Sequence, residues 1–146
     1  MYATVHEQVF ERPLRKTEKL RVSRLTRQKS IRLSNIPISA GAARTFVADT
    51  LETWGTGAYV LEAAVLLTSE IVSTAIQDAR SPITLVISST GANVRISVTD
   101  HDSEAPTCRI GSDELRGLGL QVVEAFATRW GTTQQDDGKT VWFELA

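Results

Sequence analysis

Residues 83–100 have the sequence ITLVISSTGANVRISVTD, which is typical of a β-hairpin. Apolar and polar residues alternate along residues 83–88 and again along residues 94–100, as they do in strands with one buried face. A short polar segment around Gly91 connects the two strands. Because one face of the hairpin is apolar and the other is polar, we expect helices to cover the first face and water to contact the second.

Two helices are predicted before the hairpin. Ser39 can cap the first helix, and Gly55 and Gly57 can end it. The second helix runs over about residues 58–79. Apolar residues recur at helical spacing in both helices, at Ala43, Phe46, Val47, Thr50, Leu51 and Trp54 in the first and at Val60, Ala64, Leu67, Ile71 and Ala75 in the second.

The remaining segments complete a compact set of elements. Alternation around Ile31 and Leu33 predicts an edge strand, and residues 101–115 have the length and irregularity of a lid loop. A third helix follows Gly117, Leu118, Gly119 and Leu120, with Val122, Val123, Phe126, Ala127 and Trp130 facing inward, and residues 130–135 and 140–145 predict a last hairpin. This order predicts a two-layer α+β sandwich, a mostly antiparallel or mixed sheet covered on one face by three helices.

Two polar side chains interrupt the apolar face of the second helix. At about 100° per residue, Thr74 falls near the middle of that face and Glu70 lies at its margin. Because an unpaired buried carboxylate is costly, Glu70 needs a partner or a cavity that holds water or a ligand. The alternative, a Glu70 side chain that bends out to solvent or meets an arginine, stays open.

Length, cysteine content and charge indicate one domain in a reducing compartment, with the cytoplasm as the simplest location and no membrane span. Cys108 is the only cysteine among 146 residues, so no internal disulfide can form. Residues 1–32 contain nine Lys and Arg and three Asp and Glu, a net charge of +6. The remaining residues contain seven Lys and Arg and fourteen Asp and Glu, a net charge of −7, so the whole chain has a net charge of −1. We predict a basic, flexible N-terminal arm over residues 1–30 and one domain over residues 31–146.

The basic arm has three interpretations. A solvated tail is the simplest, and docking against an acidic protein is the second. The arm has no base-reading motif, which argues against direct nucleic-acid binding, the third interpretation.

Two glycines, Gly117 and Gly119, open the third predicted helix. They let a ligand approach backbone N–H groups at a helix start, where the helix dipole favours an anion such as phosphate. Plain turn chemistry is the alternative for such a pair. A dinucleotide-binding turn does not fit, because Val122 stands in place of its third glycine. A histidine-based catalytic or metal site does not fit either, because His6 and His101 are the only histidines of the chain.

Four segments in a fixed order carry a resemblance to a known family. They are residues 69–72 (SEIV), residues 98–100 (VTD), residues 116–120 (RGLGL) and residues 138–145 (GKTVWFEL). In this combination the chain resembles the anti-sigma-factor serine/threonine kinases, a branch of the ATPase superfamily that includes histidine kinases, Hsp90-type chaperones and gyrase-type topoisomerases. The resemblance covers about residues 31–146 and implies a Bergerat-type ATP-binding fold, also called the GHKL ATPase fold.

The resemblance implies a role for each matching residue. ATP would lie between the helices and the lid, with Asp100 accepting a hydrogen bond from the adenine amino group and Thr140 supporting the adenine through its hydroxyl or a bridging water. Glu70 would be the catalytic base that accepts a proton from a partner serine. The glycines would cradle the phosphates within a cofactor-binding segment made of Arg116, Gly117, Leu118, Gly119 and Leu120.

The chain departs from the family pattern where the metal would bind. Thr74 stands in place of an asparagine that holds magnesium, and a hydroxyl is a shorter and poorer ligand than an amide oxygen. Asp78 replaces a histidine that relatives often carry, and Asp102 replaces a glycine. The resemblance therefore implies ATP and magnesium as cofactors, with Thr74 as a weak metal and cofactor contact.

Two functions follow from the resemblance and its departures. The first is an anti-sigma regulator of bacterial transcription that binds a sigma factor, is released by a STAS-type anti-anti-sigma protein and, if Mg-ATP binding survives, acts on that protein as a serine/threonine kinase. The second is a catalytically degenerate protein-binding module that has lost Mg-ATP binding. A homodimer stays open, as does an ordinary α+β domain with an unrelated ligand.

Overall fold

The computed structural model describes residues 4–11, 25–78, 81–91, 93–101, 121–135 and 138–146. Six strands form one sheet in the order β1-β2-β3-β4-β6-β5, and each neighbouring pair is antiparallel. The predicted two-layer α+β sandwich is confirmed. The strands are β1 (Thr4–Glu11), β2 (Leu25–Leu33), β3 (Ile83–Thr90), β4 (Asn93–Asp100), β5 (Arg129–Gln135) and β6 (Gly138–Leu145), and the helices are α1 (Ser39–Thr53), α2 (Ala58–Asp78) and residues 121–126, which we call α3.

The predicted hairpin of β3 and β4 lies near the centre of the sheet. Leu85 pairs with Val98 and Ile87 pairs with Ile96, and all four side chains are almost fully buried. The intervening side chains are half-buried or exposed. Alternation therefore directs one face of the hairpin to the helical layer and leaves the other open.

Helices α1 and α2 pack against each other and cover the apolar face of the sheet. α1 contacts β2, and α2 contacts β4 and β6. By length and composition α2 is apolar enough over residues 58–77 to cross a membrane, but its apolar side is used here against the sheet. The predicted helical spacing is confirmed, because the buried residues include Ala43, Phe46, Val47, Thr50 and Leu51 in α1 and Ala64, Leu67, Ile71 and Ala75 in α2.

Two predicted helix details were wrong. Ser39 is the first residue of α1 and does not cap it; its hydroxyl donates to the backbone oxygen of Ser34 at 2.7 Å, which ties the helix to the end of β2. Phe126 was expected to face inward, but 48% of it is exposed. The helical period stops at Phe126, and Trp130 belongs to β5.

The buried face of α2 also differs from the predicted one. Thr74 is half-buried rather than central. Thr68 and Val72 are fully buried, and they move the centre of the buried face around the helix, away from Thr74 and Glu70. Glu70 and Thr74 therefore lie at the border of the core, between its buried residues and the surface.

The expected N-terminal tail contains strand structure. β1 pairs with β2 along its length, from Thr4 opposite Arg32 to Glu11 opposite Leu25, and β2 begins six residues before the strand predicted around Ile31. The small number of apolar residues predicted a flexible tail. An edge strand, however, is held by backbone hydrogen bonds, and these do not depend on how many apolar side chains a segment has. The division of the chain into an arm and a domain stays a prediction.

Candidate functional site

Asp100 ends β4 as the one buried acid among the described residues. It continues the alternation of Val94, Ile96 and Val98, so its side chain lies on the face that the helices cover, and only 3% of the residue is exposed. Its Cα partner across the sheet is Ile83. The backbone N–H of Lys139 donates to Oδ1 of Asp100 at 3.3 Å. Aspartate is rarely this buried, and buried ionisable side chains are concentrated at functional sites, which indicates a binding role.

Gly138 lies directly against Asp100 at the start of β6. Its φ of +146° is a backbone conformation that residues with a side chain rarely adopt. A Cβ at this position would overlap the carbonyl oxygen of Asp100 and lie 2.9 Å from Oδ1. Sequence reasoning quoted Gly138 only as part of a motif and assigned it to a turn; the available signal was a glycine immediately before an alternating strand.

The structure does not bring Thr140 to Asp100. Thr140 pairs with Thr99 across β4 and β6, and their hydroxyl oxygens are 2.7 Å apart. Because neighbouring residues of a strand point to opposite faces, this pair lies on the face away from the helices. Lys139, one position earlier, lies on the same face as Asp100 and next to it, and sequence reasoning missed it.

Glu70 and Thr74 are brought together on α2, one helical turn apart and both half-buried. The Thr74 hydroxyl donates to the backbone oxygen of Glu70 at 3.0 Å. Nη1 of Arg44 donates to the hydroxyl of the preceding residue, Ser69, at 3.0 Å. Among the described residues no arginine forms an ion pair with Glu70, so the alternative in which Glu70 meets an arginine finds no support there.

The glycine turn and the loop before it, with Asp102, Arg116, Gly117, Leu118, Gly119 and Leu120, lie outside the described residues. His101 begins that loop and is fixed to the open side of the sheet: its Nε2 lies 2.9 Å from the Thr84 hydroxyl, and its backbone N–H donates to the Ser81 hydroxyl at 2.9 Å. The chain therefore leaves β4 at a defined point beside Asp100.

Among the described residues, Asp100 has the chemistry that an adenine base requires. Asp100 is a buried acceptor at the end of β4, next to the start of β6, and an acceptor is what an exocyclic amino group requires. Within the described ranges no group of three or more His, Cys, Asp or Glu residues could hold a metal ion. The Thr74 hydroxyl donates its hydrogen within α2 and keeps its oxygen lone pairs, so this hydrogen bond neither builds nor excludes a magnesium site.

A two-layer α+β sandwich with a buried acid at the end of a central strand agrees with the ATPase-type fold that the sequence resembles. Residues 33–145 match the family described as the histidine kinase-like ATPase domain. Since this match covers most of the chain, the protein belongs to that family.

A solved structure has a similar fold. It contains the RsbU and RsbW domains of Rv1364c from Mycobacterium tuberculosis, and the match has a TM-score of 0.62 at 20% sequence identity over 79% of this chain. This chain spans 31% of that longer chain. At this identity the likeness concerns the fold. Among curated proteins, none matches this chain significantly.

Proposed function

We propose that this chain is an ATP-binding, anti-sigma-type regulator of bacterial transcription that works in the cytoplasm. The observation that carries the proposal is the Asp100 carboxylate, buried on the helix-covered face and held by the Lys139 N–H. Membership of the histidine kinase-like ATPase family supports it. The similarity in fold to a chain that contains an RsbW domain supports the anti-sigma branch of that family.

In this proposal Asp100 and Glu70 each have a chemical role. Asp100 accepts a hydrogen bond from the adenine amino group, and Glu70 accepts the proton of a serine hydroxyl on a STAS-type anti-anti-sigma partner. Bound ATP supplies a transferable γ-phosphoryl group. The border position of Glu70 between core and solvent suits this role, because a partner serine has to reach it. Arg116, Gly117, Leu118, Gly119 and Leu120 remain the proposed phosphate-binding segment, and a sigma factor is the second protein partner.

A second function, a regulatory protein-binding module without phosphoryl transfer, is favoured by the identity of residue 74. Thr74 stands where the family pattern has a magnesium-binding asparagine, and a hydroxyl is a shorter and poorer ligand than an amide oxygen. We therefore derive no catalytic step through a magnesium ion. The two functions share the fold and the partners but differ in metal-dependent nucleotide binding.

Nucleotide titration tests the proposal. ATP should raise the thermal unfolding temperature, because a ligand at about 100 times its Kd stabilises the native state by about 2.7 kcal/mol. In Asp100→Asn the amide oxygen should take the Lys139 N–H and turn the NH2 group toward the adenine amino group, so the ATP-dependent shift should be lost. Asp49→Asn, on the exposed side of α1, is the matched control and should keep the shift. Absence of any shift in the unmodified protein at millimolar ATP would refute the proposal.

Thr74→Asn distinguishes the two functions. An asparagine amide oxygen reaches further than a threonine hydroxyl and is a better magnesium ligand. If the site is otherwise competent, the variant should bind ATP more tightly with magnesium than without it, measured by calorimetry. Equal affinities in the two conditions would show that Thr74 is not what limits metal binding and would favour the non-catalytic module.

A further inference from the structure

We propose that Gly138 is a positioning residue for Asp100 and that it thereby determines selectivity for adenine. This inference rests on the proposed function, in which Asp100 binds the adenine amino group. Gly138 itself would not touch the base. It acts by letting the start of β6 approach the end of β4 closely enough to hold the Asp100 carboxylate in one orientation.

The contact between the two residues leaves no space for a side chain. A Cβ on Gly138 would overlap the backbone carbonyl oxygen of Asp100 and would lie 2.9 Å from its Oδ1. The backbone carbonyl cannot rotate away from such a group independently of β4. A substitution at Gly138 must therefore separate the two strand ends or rotate the carboxylate.

The hydrogen bond from Lys139 depends on this approach. Lys139 follows Gly138 directly, so the backbone angles of Gly138 aim its N–H at Oδ1 of Asp100, where the distance is 3.3 Å. The β4–β6 ladder continues from Thr99 opposite Thr140 to Val94 opposite Leu145. Gly138 takes no part in that ladder and forms only the last pair of the β5–β6 ladder, opposite Gln135. Separation at position 138 should therefore disturb the carboxylate and the tip of this hairpin while the β4–β6 pairing stays intact.

The chain provides a matched control at Gly91. Gly91 also has a positive φ, +61°, and also lies in a hairpin, but a Cβ there meets nothing within 4 Å. Gly91→Ala and Gly138→Ala both place a side chain at positive φ, but +61° is the left-handed region that other residues sometimes adopt, whereas +146° is rare for any residue with a side chain. Only Gly138→Ala adds the clash with Asp100. Because it also carries the larger backbone cost, the two variants are compared by their preference between two nucleotides and not by their stability.

The test compares ATP with purine riboside triphosphate, which lacks the 6-amino group. The unmodified protein and Gly91→Ala should prefer ATP by roughly ten- to a hundredfold in Kd, as expected for one hydrogen bond to a charged acceptor. Gly138→Ala should bind both nucleotides with nearly equal Kd. A merely structural defect would weaken both nucleotides alike, so a preserved preference for ATP in Gly138→Ala would overturn the inference.

A measurement without nucleotide separates this inference from the proposed function. The carboxyl carbon of Asp100 should change its chemical shift in the NMR spectrum of Gly138→Ala, because the hydrogen bond from Lys139 and the orientation of the carboxylate are changed, and should stay in place in Gly91→Ala. An unmoved Asp100 carboxyl resonance in Gly138→Ala would overturn the positioning role whether or not ATP binds. If this resonance moves but the unmodified protein binds no ATP, the proposed function fails and the link to adenine selectivity fails with it.

Discussion

At the scale of single residues, one step along β6 separates two different roles. Lys139 shares the helix-covered face with Asp100, whereas Thr140 lies on the open face with its hydroxyl 2.7 Å from that of Thr99. The sequence motif does not show whether Lys139 or Thr140 shares the face of Asp100, because this depends on the register of β6 against β4. The role expected for Thr140 at the adenine therefore has no support from its position.

Thr140→Val should lower stability without changing ATP affinity. The variant removes a hydrogen bond that typically contributes about 1 kcal/mol and leaves the Thr99 hydroxyl without its partner. Denaturant unfolding measures the first effect and calorimetry the second. Thr133→Val is the matched control, since Thr133 pairs with Thr140 from the other side and is exposed, and it should change neither quantity. A clear loss of ATP affinity in Thr140→Val would restore the predicted contact with the base.

At the scale of elements, the open face of β4, β5 and β6 carries a cluster of charged and aromatic side chains. The Arg95 guanidinium lies 3.9 Å from the centre of the Trp142 ring and 3.0 Å from Oε1 of Glu144. Arg129 approaches the same two groups from β5 at 5.9 Å and 3.6 Å. Since Arg95 is closer to both and less exposed, 45% against 68%, it should contribute more to the cohesion of these strands.

Arg95→Ala should therefore destabilise the protein more than Arg129→Ala. We expect a decrease of about 1 kcal/mol in the free energy of unfolding for Arg95→Ala, from the loss of a cation–π contact and an ion pair. For Arg129→Ala we expect less than about 0.5 kcal/mol. Urea unfolding of the two variants measures the difference, and an equal or reversed ranking would contradict the assignment.

At the scale of the whole molecule, β1 and β2 contribute unequally to the fold. β1 is an edge strand that pairs only with β2, whereas β2 places Ile31 and Leu33 in the core, at 7% and 0% exposure. The family match begins at residue 33. The core therefore needs the end of β2, and β1 adds backbone pairing at the edge.

Deletion of residues 1–24 should leave a folded protein with the ATP-dependent thermal shift intact. Deletion of residues 1–33 should prevent stable folding, because two core side chains and the partner strand of β3 are lost. Circular dichroism and thermal unfolding distinguish these outcomes. Unfolding of the shorter deletion would show that β1 is part of the cooperative domain, and a stable fold after the longer deletion would contradict the core assignment.

The local sequence by itself determined the element types and the direction of their buried faces. Alternation in β3 and β4 and the spacing of Ala43, Val47 and Leu51 in α1 predicted side chains that are buried in the structure, because periods of 2 and 3.6 residues are set within one element. Tertiary structure decided that β4 pairs with β6, that Lys139 rather than Thr140 shares the face of Asp100, and that Gly138 touches Asp100. These features depend on the register between strands nearly 40 residues apart, and register is a property of the assembled sheet.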